Sequence, residues 1–422
     1  MQSHCSARLD EVHATIKDME IHYDKLHKKL TIRGATEFPK EVFNYADELE
    51  ILDLSNGHLT TLPDLSNFRR LRIAFFAHND FKEIPGALAT CESLEMVGFK
   101  SCKISTIADG VLPAGLRGLI VTDNRLQHLP DSIGKYTRLQ KLMLAGNQLN
   151  ALPDTFVNLT NLQLLRMASN NFLDFPDVVT HLPQLGWYSD AANPLHQTFQ
   201  GEFKEISWND IVLGEKIGES ASNTVYKAIL KDEGEVAVKL YGSDISTDGL
   251  PEDEMNACLL AGAHPNIIGG LGKLIDVPDG KYGFVMPLIP ADYQTLGDRP
   301  DFVTLTRDVF DSHETFSLEF VTRVLQDVAE ALSHCHQKGV MHGDIYAHNI
   351  LSNHKGESKL GDFGAASLYQ PGSQDGALRE RIDVAGFGYL IEDLLTRTKG
   401  KEEPFAKLNE LKDMCLNPEI TR

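Results

Sequence analysis

One pattern returns every 22 or 23 residues through the first half of this 422-residue sequence. Each copy has Leu, apolar residues three and five positions later, often Asn at the eighth position, apolar residues at the tenth and thirteenth, and often Pro at the fourteenth. The copies begin at Leu49, Leu71, Leu94, Leu116, Leu139, Leu162 and Leu185. Because one such unit is too short to bury its apolar face alone, the pattern predicts a stack in which neighbouring repeats share a core.

The spacing inside a copy predicts its local structure. The x-Leu-x-Leu segment predicts a short strand whose alternate leucines enter the core. An Asn side chain at the eighth position can bond the backbone of the turn that follows the strand. The segment LQKLMLAGNQLNALP, which begins at Leu139, has all of these features. Residues 30–196 therefore resemble a leucine-rich repeat solenoid, which implies an α/β solenoid fold and a role in protein interaction.

The outward-facing strand positions are candidates for a binding surface, because side chains alternate along a strand. They include Phe75, Ile120, Met143 and Trp187, an apolar stripe that is unfavourable to leave in water. We expect this stripe to bind a protein partner or the chain's own second half, and Phe75→Asp to weaken partner binding. The alternative is that these residues are isolated surface hydrophobics without a role.

The segment before the repeats predicts a cap. Leu9, Val12, Ile16 and Met19 are spaced by three, four and three residues, as on one face of a helix. We expect residues 6–28 to form an amphipathic helix, within a cap over residues 1–29, that covers the first repeat. A helix that binds a partner or a membrane surface is the alternative.

A different pattern begins after residue 196. We expect a linker over residues 197–205 and an α+β domain over residues 206–422, rich in strands first and in helices later. Lys239 ends the apolar segment VAVK, where its cation can hold the α- and β-phosphates of a nucleotide. Glu254 lies on the following helical stretch and is the expected partner of this lysine.

The strongest signal for chemistry lies further along the chain. His342, Asp344 and Asn349 have the spacing H-x-D-x-x-x-x-N, and the segment Asp-Phe-Gly begins with Asp362, 13 residues after Asn349. Phosphoryl transfer needs a carboxylate near the attacking hydroxyl and oxygen ligands for the Mg²⁺ that bridges the phosphates. Asp344, Asn349 and Asp362 supply that set.

These motifs resemble those of protein kinases, and the W-x-D-I-x-L-G segment from Trp208 is similar to that of the tyrosine-kinase-like group. The whole chain resembles a bacterial-type leucine-rich repeat protein kinase, with a bilobal α+β second domain and a shortened C-terminal lobe. The resemblance implies ATP and Mg²⁺ as cofactors, with Asp344 as the catalytic base. It implies Asn349 and Asp362 as metal ligands, and Lys239, paired with Glu254, as the phosphate-binding lysine. It also implies that a further set of residues contacts the nucleotide: Ile217, Gly218, Ser220, Val225, Ala237, Met286, Leu288 and Leu351.

The sequence departs from the kinase pattern at several positions. In the nucleotide-binding loop, Ser220 and Asn223 replace glycines, which hinders close approach of the backbone to the phosphates. Gly343 replaces the arginine that usually precedes the catalytic Asp, so we do not expect activation-loop phosphorylation to be the switch. Tyr346 replaces the usual lysine, which leaves His348 as a candidate γ-phosphate contact. No Ala-Pro-Glu segment follows the Asp-Phe-Gly segment, so we expect a reduced or rearranged peptide-docking platform.

Three functions fit these motifs. The first is an ATP-dependent protein kinase with serine or threonine as acceptor, regulated or targeted by its repeats. The second is a small-molecule phosphotransferase, because aminoglycoside and choline kinases also carry His-Gly-Asp with Asn five residues after the Asp. The third is a weakly active kinase-fold scaffold that binds nucleotide and partners, which the altered glycine loop favours.

Composition excludes several other classes. Hydrophobic residues make up 42% and charged residues 24%, as in ordinary globular domains. The sequence has no run of roughly 18 apolar residues and no secretory signal, so we expect a cytoplasmic protein without a membrane span. The six cysteines are scattered without a C-x-x-C pair, which suits a reducing compartment. The net charge of −20, most of it in the second half, excludes nucleic acid as an expected partner.

Overall fold

A computed structural model of the chain describes residues 11–16, 19–196, 202–219, 223–242, 249–399 and 403–419. The chain divides into two compact units, Met1–Leu162 and Gln163–Arg422. Among the described residues, no helix is both long and apolar enough to cross a membrane.

The first unit is built from short strands joined by turns and short 3₁₀ helices. Its strands are β1 (Glu11–Ile16), β2 (Met19–Asp24), β3 (Lys29–Arg33), β4 (Ile51–Asp53), β5 (Ile73–Phe75), β6 (Met96–Gly98), β7 (Gly118–Ile120) and β8 (Lys141–Met143). Its 3₁₀ helices are Lys40–Tyr45, Gly86–Thr90, Asp131–Lys135 and Asp154–Asn158. Strands β3 to β8 pair in parallel, each with the next along the chain. The predicted strand in each of these repeats is confirmed.

The core of this unit is a row of apolar residues, one from each parallel strand. The residues are paired in register and fully buried: Leu30, Leu52, Ala74, Val97, Leu119 and Leu142. From β4 onwards, each stands three positions after the leucine that begins its repeat. The 22- or 23-residue period therefore sets the register, since a slip by one residue would turn each of these side chains to the opposite face.

The predicted role of the Asn at the eighth position is confirmed. The Asn124 amide donates hydrogen bonds to the carbonyl oxygens of Phe99 at 2.7 Å and Val121 at 3.0 Å. Its side-chain oxygen accepts a hydrogen bond from the backbone N–H of Ile104 at 2.9 Å. The bonded groups come from two neighbouring repeats, so each such Asn ties one turn of the stack to the one before it.

The prediction of a helical cap over residues 6–28 is wrong for the part that the structure describes. Residues 11–16 and 19–24 are strands, and β1, β2 and β3 form an antiparallel meander. Ile21 and Tyr23 are buried while Glu20 is exposed, which is the two-residue period of a strand. The meander covers an edge of β3 that would otherwise expose unpaired backbone groups. Leu9 lies outside the described residues.

The second unit begins with two further strands of the repeat pattern, β9 (Leu164–Arg166) and β10 (Trp187–Ser189), which pair in parallel. The short helix α1 (Asp177–Thr180) lies between them. The division into compact units therefore falls after Leu162, ahead of the predicted linker at 197–205. The reason is physical: β9 and β10 pack against later segments of the second unit. Residues 197–201 lie outside the described part of the chain.

A six-stranded sheet follows in the same unit. Its strands along the chain are β11 (Glu205–Ser207), β12 (Ile211–Glu219), β13 (Asn223–Leu230), β14 (Gly234–Tyr241), β15 (Gly272–Ile275) and β16 (Tyr282–Pro287). Their order in the sheet is β11-β15-β16-β14-β13-β12. Helix α2 (Pro251–Ala261) follows β14. Strands come first and helices later, as predicted.

The remainder of the unit is mainly helical. Its long helices are α3 (Leu318–Gln337), α4 (Gln374–Leu395) and α5 (Glu403–Leu416). Its short strands are β17 (Gln294–Thr295), β18 (Val340–Met341), β19 (Ile350–Ser352), β20 (Ser358–Leu360) and β21 (Ser367–Leu368). Helices α3 and α4 begin at serine caps, since the hydroxyls of Ser317 and Ser373 accept backbone N–H bonds. One apolar cluster joins α2, α3 and α4 and supports the loops between β18 and β21.

Candidate active site

The loop between β18 and β19 carries the H-x-D-x-x-x-x-N motif, and a residue of α4 fixes its backbone. The buried carboxylate of Asp383 accepts hydrogen bonds from the backbone N–H groups of His342 at 2.8 Å and Gly343 at 2.7 Å. The His342 ring lies 2.9 Å from the carbonyl oxygen of Gly361 through Nε2. These bonds fix the backbone on both sides of Gly343, and they leave little freedom to the residue that follows, Asp344.

Asp344 and Asn349, from the two ends of this loop, are brought into direct contact. The Asn349 amide donates to Oδ2 of Asp344 and to its backbone carbonyl, both at 2.9 Å. The backbone N–H of Gly361 donates to the carbonyl oxygen of Asn349 at 2.9 Å. That bond sets the segment leading into Asp362 beside the loop, so the three residues predicted from the motifs lie in one region.

Asp362 has a backbone conformation that is rare for a residue with a side chain, with φ at 56°. Its Oδ1 accepts a hydrogen bond from the Gly364 N–H at 3.3 Å. Burial opposes ionisation of Asp362, but Lys239 and the Gly364 N–H outweigh it and lower the pKa of the carboxyl. Asp362 is therefore a carboxylate at neutral pH.

Lys239 near the end of β14 and Glu254 on α2 form an ion pair, with both side chains about nine-tenths buried. Burial alone would lower the pKa of Lys239, but the carboxylates of Glu254 and Asp362 outweigh it and raise the pKa. Lys239 is thus a fixed cation between the sheet and the loop that carries Asp362. The structure therefore brings together Lys239 and Glu254, the pair expected from the sequence.

Most of the described residues predicted to contact the nucleotide lie on the six-stranded sheet and on β19, and Leu288 directly follows β16. Val225 is paired with both Gly218 and Lys239, and Ala237 is paired with Met286. Ile217 is half exposed on β12, and Leu288 and Leu351 are partly buried. Ser220 lies outside the described residues. The contacts of these residues with a nucleotide stay a prediction.

His348, predicted as a γ-phosphate contact, has an acidic partner in the structure. Its Nδ1 lies 2.7 Å from Oδ1 of Asp308, and its backbone N–H donates to Oδ2 of the same carboxylate at 3.1 Å. Its ring also lies 4.9 Å from that of Tyr346. The prediction overlooked this anchoring role, because Asp308 lies 40 residues earlier, in a segment without a recognisable motif.

The opposite side of the catalytic loop is covered by β9 and β10. Arg166 forms an ion pair with Oδ1 of Asp344 and donates to the carbonyl oxygen of Gly343 at 3.0 Å. The Trp187 indole N–H donates to the carbonyl oxygen of Ile345 at 3.0 Å, and its ring stacks on Tyr346 with centroids 4.4 Å apart. Trp187 therefore binds the chain's own second half, one of the two outcomes predicted for the apolar stripe.

Arg166 was missed as a site residue, although the sequence holds a signal for it. It is a charged residue in an outward-facing stripe that is otherwise mostly apolar. Met143 and Trp187 of that stripe are buried, whereas Phe75 and Ile120 stay partly exposed. Binding of a protein partner at Phe75 and Ile120 stays a prediction.

Two segments of the chain are similar to known protein families. Residues 211–395 match the family model of the protein kinase domain, and residues 114–172 match that of the leucine rich repeat. The chain combines leucine-rich repeats with a protein kinase domain. Lys239, Glu254, Asp344, Asn349 and Asp362 all lie within the kinase match, in an α+β arrangement that follows a repeat array.

Several curated proteins are similar to the kinase domain. A cysteine-rich receptor-like protein kinase 2 of Arabidopsis thaliana is 27% identical over 228 residues, 48% of this chain and 32% of that protein. A cyclin-dependent kinase 11.1 of Caenorhabditis elegans is 29% identical over 158 residues, 36% of this chain and 21% of that protein. A probable serine/threonine-protein kinase of Arabidopsis thaliana is 26% identical over 171 residues, 40% of this chain and 22% of that protein. The alignments thus span a third or less of each of these relatives.

Among solved structures, a leucine-rich repeat protein of Leptospira interrogans is similar to this chain. It has 25% sequence identity and a TM-score of 0.34, over 39% of this chain and 48% of the other.

Proposed function

We propose that this protein is an ATP- and Mg²⁺-dependent protein kinase that phosphorylates serine or threonine. The observation that carries the proposal is the contact of Asp344 with Asn349, beside Asp362 and the Lys239–Glu254 pair. One of these relatives carries a serine/threonine-protein kinase name, which supports the choice of acceptor.

The side chains of Asn349 and Asp362 suit Mg²⁺. Mg²⁺ prefers oxygen ligands, keeps several waters and needs only one or two carboxylates from the protein. Asp362 is ionised, and Asn349 uses its amide N–H groups on Asp344, so its side-chain oxygen is the atom that suits a cation. Bound Mg²⁺ and ATP would supply the transferred phosphoryl group and the neutralisation of its charge.

The chain's own residues would perform the remaining steps. Lys239, held by Glu254, would bind phosphate oxygens. Asp344, oriented by Asn349, would hold the acceptor hydroxyl and accept its proton. Because these groups sit on elements that are fixed by buried bonds, they are positioned before substrates arrive, which is the main contribution a protein makes to this reaction.

Incubation with labelled ATP and Mg²⁺ tests the proposal. We expect wild-type protein to label itself or dephosphorylated casein on serine or threonine. Asp344→Asn should lower that incorporation by roughly 10²- to 10⁴-fold, the usual contribution of a positioned base, and leave a measurable residual rate. The matched control is Asp413→Asn, the same chemical change on an exposed carboxylate of α5, which should leave incorporation unchanged. Phosphoamino acid analysis identifies the acceptor.

The same assay distinguishes the other two candidates. A scaffold would bind nucleotide in a calorimeter but give no incorporation in either protein. A small-molecule phosphotransferase would transfer label to a metabolite of a cell extract and to no polypeptide. Either result would contradict the protein kinase proposal.

We also infer that the leucine-rich repeats serve protein recognition. In support, the Phe75 ring lies beside Gly98, where an added Cβ would come within 2.8 Å of it and 3.7 Å of Ile120. Phe75, Gly98 and Ile120 therefore form one continuous patch across β5, β6 and β7. Phe75→Asp should abolish co-purification of a partner that binds there, and unchanged recovery would contradict the inference.

A further inference from the structure

We propose that Arg166, a residue of the repeat strand β9, is a positioning residue for Asp344 in the phosphoryl-transfer site. The inference rests on the proposed kinase function and extends it to a residue outside the kinase match. Arg166 is almost fully buried, and its two terminal nitrogens reach the Asp344 carboxylate and the carbonyl oxygen of Gly343. A guanidinium holds such a fork geometry rigidly, so it fixes both the carboxylate and the backbone before it.

The catalytic loop itself has no cation that could do this. Gly343 and Tyr346 stand at the two positions where protein kinases usually carry an arginine and a lysine. His348 is 2.7 Å from Asp308 and so is already paired elsewhere. Arg166 therefore supplies, from the repeats, a positive charge that the loop lacks.

The glycine at position 343 is required by the same arrangement. Gly343 has φ at 74°, and a Cβ there would lie 2.2 Å from the carbonyl oxygen of Tyr188 and 2.8 Å from that of Ala365. The Tyr188 N–H donates to the carbonyl oxygen of Gly343 at 3.0 Å. An arginine at this position is thus incompatible with β10 lying against the loop. Gly343 and Arg166 therefore belong to one arrangement: the glycine lets β10 lie against the loop, and Arg166 of the adjacent strand β9 pairs with Asp344.

The Arg166 contact is compatible with an active site, because it leaves the Asp344 carboxylate able to bind a substrate hydroxyl. An ionised carboxylate offers about four acceptor positions, and the side-chain hydrogen bonds of Asp344 use Oδ1 once, for Arg166, and Oδ2 once, for Asn349. An acceptor hydroxyl can still reach the remaining lone pairs. The ion pair thus orients the carboxylate without using all of its capacity.

The surroundings of Arg166 also argue against a contact that opens and closes. Asp190, next to β10, and Arg379 on α4 form a 2.6 Å ion pair in which both side chains are almost fully buried. The Tyr389 hydroxyl donates to the carbonyl oxygen of Gln184 at 2.9 Å. Separating β10 from the helical part of this unit would leave buried charges and hydrogen-bonding groups unpaired. Strands β9 and β10 therefore stay in contact with the site.

The test compares Arg166→Met and Arg166→Lys with wild type, using labelled ATP and dephosphorylated casein. We expect Arg166→Met to lower kcat by roughly 10- to 100-fold, as small misplacements of a catalytic group do. KM for ATP and the affinity for Mg²⁺–ADP should stay within about two-fold, and Arg166→Lys should recover part of kcat. Arg72→Met, which removes a half-exposed arginine 3.0 Å from Glu95, is the matched control and should leave kcat unchanged.

A double-mutant cycle separates positioning from a merely structural role. If Arg166 acts through Asp344, Arg166→Met should cost nothing further in an Asp344→Asn background. An equal loss in both backgrounds, or a wild-type kcat in Arg166→Met, would overturn the proposal. A rise in kcat would identify an inhibitory contact instead. Wild-type protein that transfers no phosphate would refute the proposed function, and the role of Arg166 would fall with it. If Arg166→Met does not fold, as shown by its melting curve, Arg166→Lys carries the same comparison.

Discussion

Strands of one repeat pattern have outward side chains with different burial in the two units of this chain. On β5 and β7 in the first unit, the outward-facing Phe75 and Ile120 stay partly exposed. On β9 and β10 in the second unit, the outward-facing residues are all buried: Leu164, Arg166, Trp187 and Ser189. The inward residues follow the same rule in both units. The contacts that a repeat makes with other segments are therefore set by its outward-facing residues and not by its core residues.

The bonds inside the repeats confirm that the scaffold is the same in both units. Asn193 donates to the carbonyl oxygens of Met167 at 2.9 Å and Asp190 at 2.8 Å, and accepts from the Phe172 N–H at 3.1 Å. Asn124 in the first unit has the equivalent set of three bonds. Any difference in behaviour between β5 and β10 must then come from their outward side chains, which the comparison of Trp187 with Phe75 tests.

The largest difference is expected at Trp187. Trp187→Ala removes two ring stacks, on Tyr346 and on Tyr389 with centroids 4.9 Å apart, and the bond to Ile345. Loss of a fully buried Trp costs about 3–5 kcal/mol of unfolding free energy, so the melting temperature of the second unit should fall by roughly 10 °C. Phe75→Ala, at an outward position that is partly exposed, should cost only about 1–2 kcal/mol. Equal losses in calorimetry would contradict the distinction between the two units.

Gly343→Ala is expected to have the next largest effect. The new methyl group would meet the Tyr188 carbonyl oxygen at 2.2 Å, and the residue would be strained at φ 74°. Overpacking costs about 1–3 kcal/mol and the left-handed backbone about 1–2 kcal/mol. Gly372→Ala has almost the same φ, 77°, but no atom within 4 Å of its Cβ, so it measures the backbone strain alone. Urea denaturation that gave both variants the same loss would show that β10 can move away from Gly343.

Much of this architecture could be predicted from local sequence. The repeat period gave the strands, their register and the Asn bonds, since all of these depend on residues within one or two repeats. The spacing of Asp344, Asn349 and Asp362 likewise lies within 20 residues. Long-range pairings could not be predicted. Arg166 is 178 residues from Asp344, and no local period links them.

The N-terminal cap shows a second limit of sequence reasoning. Four apolar residues at a helical spacing suggested a helix, but the pattern of Ile21 and Tyr23 fits a strand equally well. A local pattern cannot decide between helix and strand here. Strand β2 pairs with the edge of β3, and that edge is available only once the repeats have stacked.

A smaller effect is expected from pH, through His196. Its Nδ1 lies 2.9 Å from the carbonyl oxygen of Leu368, and its Nε2 lies 3.0 Å from Oδ1 of Asp190. Burial would lower the pKa of His196, but Asp190 outweighs burial and the nearby Arg379, and raises the pKa. A raised pKa in the folded state means that stability is complete below the ordinary value of about 6.5 and is lost as pH rises through the folded-state value.

We therefore expect the second unit to lose about 1.5–3 kcal/mol above neutral pH, the usual worth of a hydrogen bond to a charged group. Asp253, whose pKa burial raises to about 6, would produce its loss of stability at lower pH, between about 4 and 6. Melting curves from pH 6.5 to 9 should show the His196 slope, and His196→Gln should flatten it. His58→Gln, at an exposed histidine of the first unit 3.0 Å from Asp80, should leave the slope intact. A slope that persists in His196→Gln would assign it to another group.

The smallest effect is expected inside the first unit, where two repeats lack the usual Asn and carry Gly57 and Cys102 in its place. Cys102 takes the eighth position, and its thiol lies 3.2 Å from the carbonyl oxygen of Phe76. Burial raises the pKa of this thiol to about 11, so it is a neutral, weak donor of one bond, whereas the amide of Asn124 donates two and accepts one. Cys102→Asn should therefore stabilise the unit by about 1 kcal/mol and raise its melting temperature by roughly 2–4 °C. Asn124→Cys should produce the opposite shift. If Cys102→Asn destabilised the unit, the turn at this repeat would have to be shaped for sulfur, and the equivalence of the repeats on their inner side would fail at that position.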